Sequence, residues 1–92
     1  MTAAETTPEG IARMIDEARQ LADDKRWNLE NPDPGAEPRE IEQMKRQAFR
    51  DIKRAQSMIV AYKKALALAL GNEGLPCGRE DVDTYLAELY GD

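Results

Sequence analysis

The chain has no histidine, and it has one cysteine (Cys77), one serine (Ser57), one tryptophan (Trp27) and one phenylalanine (Phe49) in 92 residues. Without histidine, the Ser–His and Cys–His pairs that activate a nucleophile lack their usual base. Zinc would have only Cys77 and carboxylates as ligands. A lone thiol forms no internal disulfide and fits a reducing compartment. Aromatics are 5% of the chain. The core must then be built from Ala, Leu, Ile and Met, which suits packed helices better than a sandwich rich in β-branched and aromatic residues.

Longer patterns are missing too. No apolar run approaches the roughly 20 residues that cross a bilayer, so no membrane association is expected. The N-terminus MTAAETTPEG shows neither the basic region nor the apolar stretch of a signal peptide, and a cytoplasmic location is expected. There is no Gly-rich phosphate loop. Asp81, Asp83 and Asp92 fall at positions 1, 3 and 12 of a calcium-loop frame. Tyr85 and Leu86, however, occupy the positions that need a ligand and a glycine. Glu40 and Glu42 point to well-separated helix faces. No catalytic residue, cofactor or metal site is expected, and the protein reads as non-enzymatic.

What is present is a helical pattern broken by proline. Thr7-Pro8-Glu9 supplies a hydroxyl N-cap, a proline at the first position and a carboxylate near the positive helix end. Ile11, Met14, Ile15, Ala18, Leu21 and Ala22 then recur at steps of three and four. Trp27 falls about 160° from the centre of that stripe. Either the helix stops or bends before it, with the indole packed under the turn, or Trp27 lies on the polar face. The segment NPDPGAEP holds three prolines in positions 31–38. Pro32 and Pro34 end a helix, Asp33-Pro34-Gly35 is turn chemistry, and Pro38 starts the next helix.

A second helix is expected from about 38 to 70, stopped by Gly71-Asn72. Ala48, Ile52, Ala55, Ile59, Leu66 and Leu70 lie within about 40° of Ile41, with Ala48 and Ala55 marking a close helix–helix contact. Phe49, Val60 and Ala67 form a weaker strip about 90° away. The last turns, ALALAL at 65–70, are apolar all round and require a cover. A third helix over about 79–90 carries Val82, Tyr85, Leu86, Leu89 and Tyr90 on one face. The expected fold is all-α: a single domain over 1–92, with an antiparallel helical hairpin (about 8–29 and 38–70) and a short C-terminal helix. It would close as a three-helix bundle or as a dimeric bundle. Residues 1–6 are expected to be disordered, and 31–37 form the inter-helix turn.

Charge is partitioned along this chain. Residues 1–38 carry nine acids and four bases, residues 39–70 three acids and eight bases, and residues 71–92 six acids and one base. The net −5 therefore conceals a central helix at +5 between two segments at −5. Arg39, Arg46, Arg50, Lys53, Arg54 and Lys64 lie between about 120° and 220° from Ile41, a basic ridge opposite the apolar stripe. Such a ridge is a solvated face partly neutralised by acidic neighbours, a dock for an acidic protein, or a phosphate-binding surface. Net acidity and the lack of interleaved aromatics disfavour nucleic acid. The expected function is protein–protein binding by a small helical homodimer, through the ridge, Trp27 or both. The abundance of alanine and the excess of arginine over lysine point to a GC-rich bacterial or phage genome, and so to a regulator or inhibitor of such an origin. A nucleic-acid-associated protein using the ridge is the alternative.

Overall fold

A computed structural model of the protein describes residues 7–91. The expectation of disorder over 1–6 falls outside these residues. Three helices follow in order: α1 (Pro8–Glu30), α2 (Pro38–Asn72) and α3 (Arg79–Tyr90). No strand occurs among the described residues. The fold is all-α, an antiparallel hairpin with a short C-terminal helix.

The local signals act where their chemistry places them. Thr7 Oγ1 accepts a hydrogen bond from the Gly10 amide at 3.1 Å, capping α1. At the other end the Asn31 backbone and side-chain amides both donate to the Trp27 carbonyl, at 2.9 and 3.0 Å. Asp33 Oδ1 accepts from the Gly35 amide, and the Asp33 carbonyl accepts from the Ala36 amide, closing the turn between α1 and α2. Asp81 Oδ2 accepts from the Gly78 amide at 2.9 Å, so one of the calcium-frame carboxylates is a helix cap.

One boundary differs from expectation. α2 runs through Gly71 and Asn72 and stops at Gly74, whose φ is +75°. The Leu75 amide donates to the Leu70 carbonyl and the Gly74 amide to the Gly71 carbonyl, the paired bonds of a Schellman stop. Gly71 stays helical beside the thiol: a Cβ there would lie 3.3 Å from Cys77 Sγ. Its glycine accommodates a close approach, while Gly74 takes the left-handed turn.

The core has two parts. Where α3 meets the hairpin, Ile11, Ala12, Ile15, Leu66, Leu70, Val82 and Leu86 are buried together. Towards the turn, Ala18 and Ala22 of α1 and Ala48, Ile52 and Ala55 of α2 are buried as well. The small side chains let the two backbones approach closely. The Ala48–Ala55 seam is thus filled within one chain by α1, and α3 covers the apolar end of α2 within the same chain. That cover is partial, because Leu68 remains 72% exposed on the far side of α2. The whole is elongated, 54 × 28 × 19 Å with a radius of gyration of 16.5 Å, against about 12 Å for a compact chain of this length.

Candidate functional site

The basic ridge is real and faces outward. Arg39, Arg46, Arg50, Lys53, Arg54 and Lys64 are all exposed along α2, on the side away from α1. Of the described acids that flank α2 in sequence, Asp83 reaches α2 at Lys63, and none pairs with a ridge cation. Lys25 of α1 pairs with Asp51 at 3.6 Å, and Lys63 of α2 donates to Asp83 of α3 at 3.0 Å. Both pairs fasten one helix to another beside the core. Arg13–Glu17 and Arg26–Asp23 are pairs within α1. On the ridge only Arg46 has a partner, Glu42, one turn earlier at 3.1 Å. Among the described residues, Arg39, Arg50, Lys53, Arg54 and Lys64 make no ion pair. The ridge's charge is not neutralised by contact with its own chain.

Arg50 shows this most clearly. Of its four neighbours one turn away, Arg46, Lys53 and Arg54 are cations and Gln47 is neutral, and like charges at these spacings oppose the helix by about 0.2–0.5 kcal/mol each.

Apolar side chains border the cations. Phe49 is 57% exposed and Val60 55% exposed, on the strip about 90° from the buried face. Between α2 and α3 this strip enters a groove of about 420 Å³ lined by Val60, Ala67 and Val82, by Lys64 and Arg79, and by the Lys63–Asp83 ion pair. Sequence reading did not assign Arg79 to this surface. It is the only base in an acidic segment, and the turn of the chain through 73–78 brings it beside Lys64.

Trp27 lies elsewhere. α1 continues through it to Glu30, and the indole is 63% exposed on the polar face. The packing of Trp27 beneath the proline turn does not occur. A shallow hollow of about 170 Å³ lies at that end of the hairpin instead, with Leu29, Pro32 and Met44 in its wall. Trp27 and the ridge belong to opposite sides of the hairpin, so the structure does not bring the seven candidate residues into one site.

Among the described residues, Tyr85 has the one shifted titration. Burial against the hairpin raises its phenol above the ordinary value of 10.0, and the nearby negative charges of Glu9 and Glu73 add to this. Cys77 is exposed and free. No cluster of three or more His, Cys, Asp or Glu suited to a metal ion occurs among the described residues. No described helix is long and apolar enough to cross a membrane.

These features define an all-helical hairpin with a charged, shallow outer surface. Comparison with protein families, with curated proteins and with solved structures gives no match.

Proposed function

We propose that the chain is a non-enzymatic protein-binding module, a cytoplasmic regulator or inhibitor of bacterial or phage origin that works as a homo-oligomer. The ridge on α2 is its principal contact surface and Trp27 a second. The observation that supports this reading is the set of unpaired cations at Arg39, Arg50, Lys53, Arg54 and Lys64, bordered by exposed Phe49 and Val60. Unpaired charge beside exposed apolar surface suits an acidic protein partner, because charge steers the encounter and apolar burial holds it. Guanidinium groups also match phosphate, which keeps nucleic-acid binding as the second reading.

Changing Arg46, Arg50 and Arg54 together to Glu tests the reading. Each site is exposed, so folding should be nearly unchanged, within about 0.5 kcal/mol per substitution. Circular dichroism checks that. The variant should lose capture of a specific protein of the native host that the wild type retains. Retention of the wild type on DNA, falling steeply with salt, would favour the phosphate reading. A variant that keeps every partner would remove the ridge from the function.

A further inference from the structure

We infer that one partner of the ridge is a second copy of this chain, docked through the acidic outer face of its α1. This rests on the reading of the ridge as a docking surface and names an occupant for it.

Taking Ile11 as zero on α1, Asp16, Gln20, Asp23, Asp24 and Trp27 lie between about 120° and 220°, with Arg13, held by Glu17, as the one cation in that arc of the helix. They form an outer face that carries mainly negative charge around one exposed indole. The ridge has the same angular position on α2, mainly positive and bordered along one edge by exposed Phe49 and Val60. Because α1 and α2 bury their inner faces against each other, these two outer faces point to opposite sides of the molecule.

The axial order of the two faces also matches. The Lys25–Asp51 ion pair fixes the level at which the antiparallel helices run side by side. Each residue forward on α1 then corresponds to one residue back on α2. A second copy displaced sideways, without sliding, keeps that register. Asp23 of one copy then comes level with Lys53 of the next, Trp27 with Phe49 and Arg50, and Glu30 with Arg46. All seven are exposed. An indole beside a guanidinium and a phenyl ring is a favourable anchor, through cation–π attraction and aromatic contact. Asp23, which stands 3.7 Å from Arg26 of its own helix, and Glu30, at the edge of the face at about 100°, meet cations on either side of it.

Symmetry follows from the two faces being opposite. A pair related by a two-fold axis cannot join both faces of both copies. The contact is heterologous, each copy keeps one free face, and association proceeds as an open row rather than stopping at a dimer. Single exposed ion pairs contribute little, so the contact depends on the set and is strongly screened by salt.

Sedimentation velocity on the full chain tests this, in about 0.01 M salt, where charges act over about 30 Å, and in about 1 M, where they act over about 3 Å. At low salt the average mass should rise with protein concentration past twice the 10.3 kDa of one chain, and return to one chain at high salt. Two variants make the test specific: Arg46→Glu with Arg50→Glu and Arg54→Glu, and Asp23→Lys with Asp24→Lys and Glu30→Lys. Each alone should stay a monomer with unchanged circular dichroism, while a mixture of the two should associate, since every contact then again joins opposite charges. A wild type that stays a monomer at low salt, or that stops at a dimer, overturns the inference. So does failure of the two folded variants to associate on mixing. If the wild type is a monomer yet ridge reversal abolishes capture of a different protein, the self-contact falls and the broader reading stands. If reversal affects neither, both fall.

Discussion

Trp27 illustrates how a single position escapes prediction from pattern. Helical periodicity places it about 160° from the buried stripe, and the size of an indole argues against leaving it there. The helix holds its course because Trp27's carbonyl receives two hydrogen bonds from Asn31, which finish the last turn. The side chain is therefore carried into solvent. Substituting Trp27 with Ala should change stability by less than about 0.5 kcal/mol, measured by urea denaturation followed by circular dichroism. In the wild-type monomer, at about 1 M salt, its fluorescence should be that of a water-exposed indole. A larger loss of stability, or emission from an apolar environment, would mean that the indole packs against the hairpin.

At the scale of the elements, the three helices were legible and their limits less so. Pro8 and Pro38 fix two starts because proline is tolerated at a helix's first position and nowhere later in it. The end of α2 was misplaced by its first glycine. Gly71 looks like a stop, but the helix continues until Gly74 can adopt positive φ and receive the Schellman bonds. A sequence does not show which of two nearby glycines turns. The position of α3 was also undetermined, since its apolar face fits the end of α2 in its own chain or in another. Burial of Val82 and Leu86 with Ile11, Ile15, Leu66 and Leu70 places it in its own chain. Replacing Leu86, 1% exposed, with Ala should cost about 2–5 kcal/mol. In thermal melts the loss should be independent of protein concentration. A cost that varied with concentration would show that α3 covers a partner's helix instead.

Across the whole molecule, the partition of charge was visible in the sequence, and its consequence was not. Counting residues reveals an acidic–basic–acidic chain, but only the fold decides whether the acids fold back onto the bases. Here Asp51 and Asp83 are used to tie α1 and α3 to α2. The ridge cations other than Arg46 are left without partners. The α2–α3 groove that Arg79 and Lys64 both line likewise depends on the turn through 73–78 and could not be read from helical periodicity.

Apart from Arg46, the ridge cations are not engaged within the chain, and stability at Arg50 reports on this with least interference from other contacts. Arg46, Lys53 and Arg54 surround it at helical spacing, so its charge should work against folding. Proteins commonly keep such a cost where a surface serves binding. Urea denaturation of Arg50→Gln should be compared with the wild type in dilute solution, at low and at high salt. The variant should be more stable by about 0.5 kcal/mol at low salt, with the difference shrinking as salt screens the repulsion. An Arg50→Gln protein that is less stable than the wild type at low salt would contradict the account, because Arg50 would then hold the fold together rather than face outward for a partner.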